Sequence, residues 1–235
     1  MRRIERNDER GTSDLGWLLS RFSYSFAEYE NSSRMGFGAL RVVNDDTIAP
    51  QKGFPLHHHE QMEIVTIMLE GTLTHHDTLG NTKDLKEGEV QTMTAGTGVS
   101  HGEWNNDKTT PAKLLQVWIY PKERSLVPRY TQMKFDETGR HNIFQILACG
   151  EHRDGMLFVH QDVTLARVLI EGGRSASYTL ANPMHGVFVF VVSGKVEVGT
   201  DMLSSRDSME VTQEEKLTFN AQERSDVIVI EVSMG

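Results

Sequence analysis

The chain is short of cysteine, proline and aromatic residues, and it contains no long apolar stretch. Cys149 is the single cysteine among 235 residues. No intramolecular disulfide can form, and a reducing, cytoplasmic setting is the expected one. One thiol inside the run "ILACG" reads as a small buried apolar residue, not as a nucleophile. The longest clean apolar run covers residues 187–192, far below the roughly 20 residues a membrane helix needs. The segment "MRRIERNDERG" carries charge with no apolar stretch behind it, so neither a secretory nor a twin-arginine signal is expected. Positive charge is the minority sign. Lys and Arg number 24 against 33 Asp and Glu, a net charge of −9. An acidic surface without a Lys/Arg run argues against direct nucleic-acid binding.

What is present is a soluble, globular composition: 38% apolar and 24% charged residues, enough for a real core. Strand-like segments dominate, among them "MEIVTIMLEGTLTHHD", "EVQTMTAG", "AKLLQVWIYP", "GVFVFVVSGKVEVGT" and "SDVIVIEVSMG". They are β-branched or alternating, and Gly, Asn, Asp and Ser punctuate them. Helical signatures are scarce; the short candidates lie near residues 15–20 and 128–132. Such a pattern predicts an antiparallel barrel or sandwich. A faint internal repeat relates residues 66–77 to residues 190–201, each a strand, a glycine turn (Gly71 or Gly194) and a second strand. It suggests two copies of one β-module: an N-terminal unit at 1–125, a linker at 126–145 and a C-terminal unit at 146–235.

The chemistry concentrates in two short motifs. In "GFPLHHHEQMEIVTIMLEG", His57 and His59 skip one position, so on a strand they face one side while His58 points away. In "TAGTGVSHGEWN", His101 and Glu103 repeat the device about forty residues later. Two such pairs on adjacent strands bring three nitrogens and a carboxylate to one point, a donor set that suits a divalent transition metal. Gly96, Gly98 and Gly102 read as the tight bend that lets the second strand approach. The aromatic residues Trp17, Phe22, Tyr24, Phe26, Tyr29, Phe37 and Trp104 read as packing residues in preference to the wall of a substrate pocket.

These two motifs, with "GWLLSRFSYSFAEY…MGFGALRVVNDD", resemble the pirin family of bicupin proteins. The resemblance implies an all-β fold of two tandem antiparallel cupin (jelly-roll) barrels with few short helices. It implies one divalent metal in the N-terminal barrel, Fe(II) first with Zn, Mn, Ni, Co or Cu as alternatives, on His57, His59, His101 and Glu103. It further implies cleavage of a flavonol such as quercetin with O2, with Glu103 as the base. The alternative is a non-catalytic metal- or redox-sensing regulatory protein that binds a protein partner. A monomer is the expected state. The chain departs from the family in having Leu56 before the first ligand and His58 between the first two. Glu63 falls where cupins commonly carry a glutamate, and it is expected in the second shell of the metal. His75 has a family counterpart and is expected beside the site as a packed or loop-edge histidine. Aligning Gly194 on Gly71 sets Leu180 and Asn182 opposite His57 and His59, and the region near Arg224 opposite His101. None of these makes a metal site, so the C-terminal barrel is expected to be metal-free.

Overall fold

A computed structural model describes residues 1–235, and it is built almost wholly of strands. In chain order they are β1 (Arg2–Glu5), β2 (Gly11–Asp14), β3 (Leu18–Phe22), β4 (Leu40–Ile48), β5 (Lys52–His59), β6 (Glu63–Glu70), β7 (Thr72–Asp77) and β8 (Thr82–Lys86). Next come β9 (Glu89–Thr94), β10 (Val99–Asn105), β11 (Ala112–Ile119) and β12 (Arg129–Lys134). The second half contributes β13 (Gln145–Cys149), β14 (Leu157–Phe158), β15 (Val163–Ile170), β16 (Ser175–Thr179), β17 (Gly186–Ser193) and β18 (Lys195–Val198). It ends with β19 (Asp201–Ser204), β20 (Ser208–Thr212), β21 (Lys216–Ala221) and β22 (Ser225–Val232). The only helical turns are 3-10 turns at Asn7–Glu9 and Glu137–Arg140. Neither stretch expected to be helical is helix: residues 15–17 form a bend that leads into β3, and β12 begins at Arg129. Residues 18–22 alternate buried and more exposed positions and pair with β4, and residues 129–134 pair with β9. Tertiary pairing of an alternating face overrides weak local helix preference. No helix is long and apolar enough to cross a membrane.

Four sheets form two matching pairs. The first half has the order β12-β9-β6-β11-β4-β3-β2 facing β5-β10-β7-β8, and the second has β1-β20-β17-β22-β15-β13-β14 facing β16-β21-β18-β19. Strand for strand the orders correspond, and the glycine turns at Gly71 and Gly194 join equivalent strands. The edges are exchanged. β1, from the start of the chain, closes the edge of the C-terminal seven-stranded sheet against β20. β12, inside the stretch expected to be a linker, takes the same place against β9 in the N-terminal one. The expected boundaries at 1–125 and 126–145 therefore miss both edge strands. Each was too short and polar to be told from a loop without its partner.

The two large sheets pack on each other through a cluster of 23 buried residues drawn from both halves, including Val65, Ile67, Val117, Phe188, Phe190 and Ile230. Strands in these sheets are covered on both faces, which is why β6, β17 and β22 read as near-continuous apolar runs. The barrel interiors differ. The C-terminal one is a single cluster of 18 buried residues. The N-terminal one is split into clusters of 7 and 4, with a polar belt between them.

Candidate metal centre

The belt follows from strand register. Asn44 lies opposite Gln116, Gln116 opposite Thr66, and Thr66 opposite Gln91. This polar row crosses an otherwise apolar sheet, and all four side chains are buried. Facing it from the small sheet are β5 and β10, where His57 pairs with His101. His101 and Glu103 share the inward face by ordinary alternation, and a bulge whose extra residue lies in β5 sets Phe54 and His57, three apart, opposite them. Positive φ at Gly96 and Gly98, a backbone region L side chains disfavour, turns the chain into β10.

His57, His59 and His101 come together, with ligand atoms within 4.8 Å of one another and ring centroids 4.5–4.9 Å apart. His57 Nδ1 donates to the Pro55 carbonyl at 2.9 Å, leaving its Nε2 bare. The Nε2 atoms of His59 and His101 are buried with no hydrogen-bond partner. An orphaned buried nitrogen is costly, and a cation shared by all three would satisfy them. Burial first, then the neighbouring imidazoles, lowers His59 to about 4 and His101 to about 3. Both rings are thus uncharged at neutral pH, as ligation requires. The residues present fit a divalent metal.

Glu103 is not in that trio. It joins a second group, His75–His101–Glu103, which shares His101. Its carboxylate is clamped from the opposite sheet: Gln91 Nε2 donates to Oε1 at 3.1 Å and Gln116 Nε2 to Oε2 at 2.9 Å. Tyr130, on β12, lies with its hydroxyl 3.0 Å from Gln91 Oε1 and 2.7 Å from Gln132 Oε1, two carbonyls that compete for its one proton. His75 is fully buried in a strand, not at a loop edge. Its ring stacks on Tyr130, and its nitrogens meet Asp77 and His101.

Glu63 is elsewhere. On β6 the inward face carries Ile64 and Thr66, so Glu63 shares the opposite face with Val65 and Ile67. There its Oε2 accepts from Thr94 Oγ1 at 3.0 Å and from the backbone N–H of His160 at 3.2 Å, across the junction of the two halves. It orients none of the histidines. Burial pushes its carboxyl up to about 7. Among the aromatic residues, Tyr24 and Phe37 join the inter-barrel core, and Trp104 is 37% exposed. Phe26 and Trp17 each stand one ring away from the imidazoles: Phe26 is edge-on to Trp118, whose ring is edge-on to His59 at 4.8 Å, and Trp17 is edge-on to Phe54, whose ring lies 6.2 Å from His57. Sequence reasoning missed Asp77, Gln91, Gln116, Trp118 and Tyr130. The signal for two of them was a lone glutamine inside an apolar strand, in "EVQTMT" and "LLQVWI".

In the second half the rung Ala176–Phe219–Val198 stands where Phe54–Glu103–His75 stands in the first, Val198 being four residues past Gly194 as His75 is four past Gly71. Tyr178 pairs with Leu217 as His57 pairs with His101. The positions equivalent to His57 and His59 are thus Tyr178 and Leu180, not Leu180 and Asn182, and the one equivalent to His101 is Leu217 on β21, not the region near Arg224. The short glycine alignment drifted because the loop before β17 is longer than the one before β6.

A pair of tandem cupin domains with an imidazole cluster in the first alone defines a bicupin with one candidate metal centre. The chain belongs to the pirin family. The pirin family model matches residues 4–119, and the model of the quercetinase C-terminal cupin domain matches residues 146–232. The chain is 37% identical over 229 residues to quercetin 2,3-dioxygenase of Escherichia coli strain K12, covering 97% of each. It is 35% identical over 227 residues to a pirin-like protein of Caulobacter vibrioides, covering 96% of this chain and 97% of the relative. The crystal structure of the bacterial pirin YhhW of Escherichia coli in complex with nickel(II) matches with a TM-score of 0.93 at 36% identity, over 99% of both chains.

Proposed function

We propose that the protein is a metal-dependent dioxygenase that cleaves a flavonol of the quercetin type with O2. One divalent ion, iron(II) by preference, would be held by His57, His59, His101 and Glu103. The observation that carries this reading is the convergence of three imidazoles on bare Nε2 atoms, two of them buried and unpartnered, next to a clamped carboxylate. The family membership and the name of the Escherichia coli relative support the choice of substrate.

When bound, the metal supplies Lewis-acid stabilisation of the deprotonated substrate hydroxyl and a redox centre for O2. The remaining work falls to the chain. The three imidazoles fix the approach of the ion through Nε2. Glu103 takes the hydroxyl proton of the flavonol on a carboxylate oxygen. Each of those oxygens retains a lone pair beyond its bond to Gln91 or Gln116. Phe26 and Trp118 offer an edge-to-face aromatic wall beside His59 against which a planar ring system packs.

The test is reconstitution with Fe(II) under anaerobic conditions, followed by quercetin in air. The flavonol absorbance should bleach with one O2 consumed per molecule. Glu103→Gln should keep its fold and lose at least about 100-fold in turnover, the usual scale of a positioned base. No bleaching with Fe, Mn, Ni, Co or Cu would remove the reading.

A further inference from the structure

Behind His101 lies a chain of hydrogen bonds that determines which of its ring nitrogens is free. Asp77 Oδ2 lies 2.9 Å from His75 Nε2. A carboxylate only accepts, so the proton of that ring sits on Nε2 and His75 Nδ1 is left as an acceptor. His75 Nδ1 lies 3.4 Å from His101 Nδ1. With an acceptor there, His101 carries its proton on Nδ1 and turns a bare Nε2 toward His57 and His59. That atom is the one found buried without a partner.

The supports are themselves fixed. Asp77 is held by the backbone N–H groups of Leu79 and Asn81 and by the Asn81 amide. The His75 ring is stacked on Tyr130 at 4.3 Å, with 23° between the planes. Both His75 and Asp77 side chains are wholly excluded from solvent, so water does not compete for either bond. In the C-terminal half Val198 holds the place of His75 and Leu217 that of His101, so no imidazole pair forms there.

We propose that Asp77 and His75 are positioning residues that select the Nδ1–H tautomer of His101 and so present Nε2 to the metal. The proposal rests on the reading of His101 as a ligand, but not on the reaction or the substrate. A hydrogen-bonded partner on the far nitrogen fixes both the tautomer and the ring orientation of a ligating histidine. Its loss costs about 10–100-fold in metal affinity.

The experiment uses metal-free full-length protein with 15N-labelled histidine and long-range 1H–15N correlation, which reads each ring's protonated nitrogen directly. Wild type should show His75 protonated on Nε2 and His101 on Nδ1. Asp77→Asn keeps an oxygen for the Leu79 and Asn81 N–H groups but turns an amide donor toward His75. Both tautomers should then invert, and calorimetric affinity for nickel(II) should fall about 10–100-fold. His75→Gln, whose amide can accept from His101 and donate to Asp77, should keep the His101 tautomer and bind nickel(II) within about threefold of wild type. If Asp77→Asn does not fold, His75→Phe keeps the stack on Tyr130 and should lose both the tautomer preference and the affinity. His101 protonated on Nε2 in wild type would overturn the proposal. So would variants with unchanged nickel(II) affinity. Wild-type protein with the expected tautomers but no action on quercetin would instead count against the dioxygenase reading alone.

Discussion

The two barrels have the same strand order and opposite interiors, and the difference lies in what fills one rung. Where the C-terminal barrel sets Ala176, Phe219 and Val198 across three strands, the N-terminal barrel sets Phe54, Glu103 and His75. Phe219 and its neighbours make one continuous apolar core without a cluster of metal-binding side chains. The N-terminal barrel divides its core in two and places a glutamine-rich belt between the halves. A shared architecture thus supports either a stability module or a site, and the choice is made by which inward positions are polar.

That comparison can be broken most forcefully by attacking the filled barrel. Phe219→Ala should cost about 3–5 kcal/mol of unfolding free energy, the usual price of deleting a fully buried ring. Nickel(II) stoichiometry in the surviving folded protein should stay unchanged. Chemical denaturation and calorimetry read the two quantities separately, and loss of metal binding here would mean the barrels are not functionally distinct.

The mirror substitution, His101→Ala, should do the reverse. Metal-binding free energies of about 10–16 kcal/mol, shared among four donors, make one imidazole worth about 3–4 kcal/mol, a loss of several hundred-fold in affinity. Metal-free stability should fall by less than in Phe219→Ala, because the wild-type ring already leaves Nε2 buried with no partner. Unaltered nickel(II) affinity would place the centre elsewhere.

A smaller effect sharpens how the barrels are joined. Glu63 has its carboxyl raised from 4.5 to about 7 by burial at the junction, against the partial relief of His160 N–H and Thr94. A raised folded-state pKa means the folded protein holds the proton more tightly than the unfolded chain. Its contribution is therefore fully present below about pH 4.5 and lost as pH rises through 7. The shift corresponds to a loss on the order of 3 kcal/mol across that window. Glu63→Gln, which cannot ionise, should be nearly as stable as wild type at pH 4.5 and more stable at pH 8. The difference between the two unfolding curves isolates Glu63 from the other titrating groups. Parallel curves would show that Glu63 ionises as freely in the fold as outside it.

Much of the site was legible because strand periodicity is short-range. His57, His59, His101 and Glu103 each sit in a motif whose skip of one position specifies a face, whatever the rest of the fold does. The outward aim of His58 follows from the same alternation. Glu63 was misplaced for a related reason. Its distance from His59 crosses the turn between β5 and β6, where alternation restarts, and Ile64 took the inward face instead. His75 and Asp77 repeat the same two-residue skip in "THHD", yet nothing local distinguishes a buried histidine from a surface one there.

Sequence alone determined the strand-rich class, the repeat about Gly71 and Gly194, and the four donors proposed for the metal. These are properties of composition, turn chemistry and a period of two, all carried within a few residues. Only the tertiary structure decided that β1 and β12 exchange places at the sheet edges. Only it decided that Gln91 and Gln116 reach across the barrel to Glu103, and that Glu63 serves the junction. Each of those depends on which distant strand lies opposite, and register between strands is fixed by packing of whole faces, not by any single segment.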